Sequence, residues 1–414
     1  MKTQCLVALA GMLCLAGCNR DLLTPPHTRP VTGDPPKEIT AGESRIIASD
    51  NDFGFAMMRE LNTDAANGNV VISPMSVSMA LGMTLNGARG TTESAMRSTL
   101  GFSGLTSPEI NEAYRSMIDR LSTLDPGVKF QAANSIWSRE GFPVRPEFQE
   151  INRKYFDAEA SELDFSDPSA GPTINGWVKT RTNGRIESIV PMTIPNDVVM
   201  YLINAIYFKG AWKETFDTKQ TRDAVFTRPD GATVPVKMMY RTSAMRYQQN
   251  DRFSAVDLPY GNGSFSMTLL LPAAGATADD LLTGLNSQQW NSLYGGFTKQ
   301  KIGLGLPKFK IQYGSSLNDA LQAMGMGIAF SGAADLSGIA GGPGDLYISN
   351  VRHKTFIEVN EEGTEAAAAT SVEITRTSVE EIPVMILNRP FIFAIRESQS
   401  GRIIFLGRIA DPTK

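Results

Sequence analysis

Past residue 18 this chain contains no cysteine, since Cys5, Cys14 and Cys18 account for all three. The remainder has no disulfide, no thiol nucleophile and no cysteine metal site, so its fold must hold by packing alone. Histidine is almost as scarce. His27 and His353 are the two in the sequence, and a Ser-His-Asp triad in a packed domain would have to use His353. No Gly-x-Ser-x-Gly elbow is present to supply the serine. Neither His-Glu-x-x-His nor a Walker loop occurs, and Gly341-Gly342-Pro343-Gly344 is a flexible turn without the lysine of a phosphate loop. These residues call for no cofactor and no metal, and a lone histidine is more often structural than catalytic. An excess of positive charge is also missing. The formal net charge is −4, with Lys and Arg spread along the chain, unlike the basic footprint of a nucleic-acid binder.

What is present begins with a short apolar run. Lys2 precedes an apolar stretch from Cys5 to Ala16, too short to span a bilayer with the usual margin, which reads as a secretory signal. Leu15-Ala16-Gly17-Cys18 resembles the bacterial lipoprotein box, which implies removal of residues 1–17 and lipidation of Cys18. Several acyl chains on one residue anchor a protein stably. Asn19 follows the cysteine in place of the aspartate associated with inner-membrane retention, so outer membrane or cell surface is the expected location. Residues 18–45 carry five prolines from Pro25 to Pro36 and few large apolar side chains, as a disordered tether does. The packed domain is expected over 46–414. Apolar residues make up 42% of the chain and charged residues 20%, enough for a sizeable core in one large domain or two ordinary ones.

Helix signals come first. Ser49 or Asp50 is a candidate cap for a helix with Phe53, Ala56, Met57 and Leu61 on one face. Val70-Val71-Ile72 reads as a buried strand, after which Ser73 caps a helix with Pro74 at its first position. That helix ends at Asn86-Gly87, and Thr91 is a candidate cap for the next. Strand signals dominate after Tyr201: Leu202–Phe208, Phe265–Leu271, Phe356–Val359, Phe391–Ile395 and Ile403–Leu406. Helices first and strands later point to an α+β fold.

One segment is unusual for its place. Residues 361–381 follow one strand and precede another without a proline, long for a connection. With period two, Thr364, Ala366, Ala368, Thr370, Val372 and Ile374 fall on one side. Glu365, Ala367, Ala369, Ser371, Glu373 and Thr375 fall on the other. A half-buried strand is written this way, and small side chains suit insertion between existing strands. Four alanines after a capping threonine equally permit a helix, although Thr370, Val372, Ile374 and Val379 oppose its continuation. Periodicity alone leaves loop, helix and strand open.

Glu361-Glu362-Gly363-Thr364-Glu365-Ala366-Ala367-Ala368-Ala369-Thr370 strongly resembles the hinge of the serpin family. Other segments resemble serpin signatures in the same order: Ser73-Pro74-x-Ser76, Asn175-x-Trp177-Val178, Asn204-Ala205-Ile206-Tyr207-Phe208-Lys209-Gly210-x-Trp212 with Phe216 and Thr221, Leu258-Pro259-Tyr260, Leu306-Pro307-Lys308-Phe309 and Asn388-Arg389-Pro390-Phe391. The resemblance implies three β-sheets, A, B and C, about nine helices and an exposed reactive centre loop that can add to a sheet. It implies an irreversible inhibitor, with the target protease as covalent partner, no enzymatic activity of its own and a monomeric state. Glu361, Gly363, Thr364, Glu365, Ala366, Ala367, Ala368, Ala369 and Thr370 would form the hinge. Glu361 would lie at the point of loop entry, within reach of Lys308 and near Trp212 (the breach). Ser73, Ser76, Asn204 and His353 would form a shutter network under the sheet. Family spacing places the reactive bond at Thr377-Ser378, with Arg376-Thr377 the alternative for a trypsin-like protease. A non-inhibitory serpin, acting as a surface binding or chaperone-like protein, is the competing reading. The hinge carries none of the bulky residues or prolines common in such relatives.

Overall fold

The structure is a computed structural model and describes residues 38–64, 68–364 and 382–414. The expectations for Cys18, the tether up to residue 37, hinge residues Glu365–Thr370 and reactive-bond residues Arg376, Thr377 and Ser378 lie outside the described residues.

Among the described residues, nine α-helices surround two sheets. The first helix, Ala41–Asp64, starts inside the stretch read as tether and runs through Ser49 and Asp50 without a break. Thr40 and Glu43 cap it reciprocally. Asp50 is therefore no cap. It is fully buried, pairs with Arg402 at 2.8 Å and accepts from the Tyr114 hydroxyl at 3.1 Å. A carboxylate on the buried face of this amphipathic helix is satisfied by tertiary partners that local sequence does not show. Helix Gly90–Thr99 likewise begins before Thr91, whose place as cap is taken by Arg89.

Helix Pro74–Leu85 sits at the centre. Every residue except Ala80 is buried, as an all-round apolar helix requires. Ser73 caps it by accepting from Ser76 N, and Asn86 closes it.

One sheet has six strands in the order Phe309–Ser316, Arg352–Val359, Gly363–Thr364, Met200–Ala211, Val128–Arg139 and Glu159–Leu163. It is the sheet A that the resemblance implied. Helix Ala170–Arg181 covers one region of it through a small separate core, in which Trp137 meets Trp177 edge-on at 6.2 Å. The expected sheets B and C are joined into one nine-stranded sheet by the long strand Thr233–Gln249. Its first half pairs with Thr221–Thr227, its end with Phe253–Tyr260, and most of its length with Thr298–Pro307. The closing hairpin, Phe391–Glu397 with Ile403–Ile409, is buried throughout.

Strand Gly363–Thr364 belongs to the six-stranded sheet and strand Val384–Ile386 to the nine-stranded one. The segment between them thus connects two different sheets.

Candidate functional site

The site begins where strand Arg352–Val359 turns back on itself. The Asn360 side chain accepts from the backbone N–H of Glu362 at 3.0 Å and of Gly363 at 3.2 Å, an Asx turn. The chain re-enters the sheet antiparallel, with Thr364 opposite Val359 on one side and Gly210 on the other. Both ladder neighbours of this two-residue strand are therefore in place. Gly363 has φ of +149°, and a Cβ there would lie 2.2 Å from the Gly210 carbonyl oxygen. A glycine is required at this close approach.

Glu361 is clamped beside the entry point. Lys308 Nζ lies 2.8 Å from one carboxylate oxygen, and the Thr221 hydroxyl donates to the other at 2.8 Å. Its backbone carbonyl accepts from Phe216 N at 2.8 Å. Burial pushes the Glu361 carboxyl up, but the hydrogen bonds from Lys308 and Thr221 outweigh it and hold the group below the usual carboxylate range. Trp212 bonds the same turn twice, from its backbone N to Glu362 O at 2.8 Å and from its indole N–H to Asn360 O at 3.0 Å. Its ring stacks on Tyr260 at 4.4 Å. The structure thus brings Glu361, Lys308 and Trp212 together and adds Thr221, Asn360 and Tyr260. N-E-E-G after a strand is an Asx-turn signal that could have flagged Asn360. Tyr260 was visible as a motif residue without a role.

The second cluster lies under the middle of the same sheet. His353 accepts from Ser73 N at 3.0 Å through Nε2, and the Ser73 hydroxyl donates to Ile404 O at 2.6 Å. Ser76 donates to the Asn204 side-chain oxygen, and Asn204 Nδ2 donates to Asn134 Oδ1 at 2.6 Å. Asn134 in turn donates to Phe156 O at 2.6 Å. His353 and Asn204 stand on the two strands that flank Gly363–Thr364, and helix Pro74–Leu85 links them from behind. Burial pushes His353 down to about 4, so it is a neutral acceptor here. Among the described residues no carboxylate pairs with it in this network. Asn134 is a member that sequence reading missed, as nothing in its flanks separates it from a surface asparagine.

Among the described residues no group of three or more His, Cys, Asp or Glu side chains could hold a metal ion. No described helix is long and apolar enough to cross a membrane.

Fold and site define a protein whose central sheet receives the start of an extra strand between two flanking strands, from a segment that then leaves for another sheet. The model of the serpin family, described as serine protease inhibitor, matches residues 48–412. The chain is 34% identical to Serpin-Z7 of Hordeum vulgare over 88% of its own length and 96% of that protein's. It is 34% identical to the leukocyte elastase inhibitor of Sus scrofa, covering 89% of this chain and 100% of that one. Among solved structures, the thermophilic serpin Tengpin in its native state superposes with a TM-score of 0.82 at 32% identity, covering 91% and 96% of the two chains. The chain belongs to the serpin family. It is a protease inhibitor by class, and not an enzyme.

Proposed function

We propose that this chain is a suicide-substrate inhibitor of serine proteases, and of some cysteine proteases, that works by inserting its cleaved loop into sheet A. The protease attacks the loop at Thr377-Ser378 or Arg376-Thr377. Its serine oxygen forms an ester with the carbonyl of the residue before the cut, and the residue after it leaves with a new amino group. The severed arm then inserts between strands Arg352–Val359 and Met200–Ala211 before water can resolve the ester. Ten or more new backbone hydrogen bonds, each worth about 1 kcal/mol net, add to burial of the remaining inward row from Ala366 to Ile374. The uncut state persists because a barrier separates it from that minimum.

The observation that carries this reading is the docked pair Gly363–Thr364, antiparallel to both flanking strands, at the head of the slot. In sequence the pair is followed by Glu365, four alanines and Thr370. We further infer that residues 1–17 are removed, that Cys18 is lipidated, and that the residues from Cys18 up to the first helix at Ala41 tether a monomeric inhibitor to the outer membrane or cell surface.

Incubation with trypsin or elastase tests the reading. The expected result is a covalent complex stable in SDS, with a released C-terminal fragment beginning at Thr377 or Ser378. Cleavage without complex would favour a binding protein, and a cut outside 374–379 would defeat the assigned bond.

A further inference from the structure

Tyr260 is fully buried at the end of strand Phe253–Tyr260, and its hydroxyl lies 2.7 Å from the Thr364 hydroxyl. Thr364 is itself buried, at 3% exposure. Gly210, its ladder partner, makes room for the ring: a Cβ there would lie 3.1 Å from Tyr260 Cδ1. The far face of the ring is braced by Trp212, and Phe208 meets it edge-on at 5.2 Å. The loop after Tyr260 is fixed as well. Gly261 N donates to Ala211 O at 2.9 Å, and Asn262 N donates to the buried Asp125 carboxylate at 2.8 Å. Tyr260 therefore cannot follow Thr364 if the hinge moves. It is a fixed post on the nine-stranded sheet, and it holds the first inward-facing residue of the incoming strand.

We propose that Tyr260 is a positioning residue for loop insertion: its hydroxyl latches Thr364 in the slot of the uncut protein, so that insertion elongates a strand already begun. The inference rests on the inhibitory reading above. Starting a strand costs more than lengthening it, because the first contact must close a loop before later contacts repay it. After the protease has cut, insertion competes with hydrolysis of the ester. A preformed first rung shifts that competition toward trapping.

The latch has a distinctive signature, because two buried hydroxyls satisfy each other. Removing one leaves the other buried and unpaired, which costs more than the bond itself contributed, whereas removing both leaves matched apolar surfaces. Tyr260→Phe and Thr364→Val should each loosen the hinge, and the double variant should restore it. Thr364→Ser keeps the hydroxyl and should behave as the parent does.

Hydrogen exchange of the peptide spanning 360–366, measured in the uncut protein, reads the latch without any protease. Each single variant should exchange about tenfold faster, the equivalent of about 1.4 kcal/mol, and the double variant should return to within about twofold of the parent. The stoichiometry of inhibition against trypsin should follow the same pattern, rising several-fold in each single variant and recovering in the double. Three results would overturn the proposal: unchanged exchange in Tyr260→Phe, a double variant as loose as the two singles combined, or Thr364→Ser matching Thr364→Val. Recovery of exchange without recovery of stoichiometry would overturn the role in trapping. If the parent protein itself gave only cleaved product, the inhibitory reading would fall, while the exchange cycle would still decide the latch.

Discussion

His353 Nε2 accepts a hydrogen bond from the backbone N–H of Ser73 at 3.0 Å, joining a strand of the central sheet to the cap of the helix beneath it. The bond requires a neutral imidazole, and burial holds His353 at about 4, against about 6.5 for an unfolded chain. As pH falls, the unfolded state takes up this proton first. Stability from this group is therefore complete above pH of about 6.5, declines as pH drops, and levels off near 4, a total loss of about 3 kcal/mol. Urea midpoints at closely spaced pH values should show this decline, and His353→Asn should flatten it while lowering the midpoint at neutral pH.

The Glu361–Lys308 contact has the opposite ionic character. Glu361 is held below its usual range, so its contribution is present above the unfolded carboxylate pKa and is lost only in more acidic solution. Lys308 is 40% exposed, and screening reduces the pair to about 1 kcal/mol. Glu361→Gln should lower the thermal midpoint by about 1 °C. The difference should shrink in about 1 M salt, and an unchanged gap would locate the effect in packing.

Gly363 meets backbone on the inserting side, with the Gly210 oxygen, Ala211 Cα and Trp212 N all within 2.9 Å of an added Cβ. Gly363→Ala cannot keep the two-residue strand. Hydrogen exchange at 360–366 should accelerate more than in any side-chain variant of Thr364, and the global midpoint should move much less.

Thr364→Arg places a long charged side chain where Thr364 is packed between Val359 and Gly210. Burying an unpaired charge is costly, so insertion should stall and the ester should be hydrolysed. The variant should remain folded, be cut by trypsin or elastase, and form little covalent complex. Inhibition equal to that of the parent would contradict it.

Much of the fold was legible because local and long-range signals agree. Ser73-Pro74 reads as a cap and first turn, and helix Pro74–Leu85 follows it. The strand signals of Leu202–Phe208 and Phe265–Leu271 lie inside observed strands. Asp50 shows the limit. In isolation it is a good helix cap, but its partner Arg402 stands 352 residues away, where no local pattern can point to it. Lys308, Trp212 and Glu361 could be named from motifs, yet Thr221, Asn134 and Tyr260 acquire roles only through packing that joins distant segments. The join between sheets B and C through Thr233–Gln249 was hidden for a related reason: one strand changes partners along its length.

Thermal unfolding before and after a single cut in the segment 374–379 tests the central claim most directly. If the uncut protein is held short of a better-paired sheet, the nicked protein should unfold about 13 °C higher, as expected for a gain of about 10 kcal/mol in a domain of this size. A nicked protein that melts at the temperature of the uncut one would contradict the account.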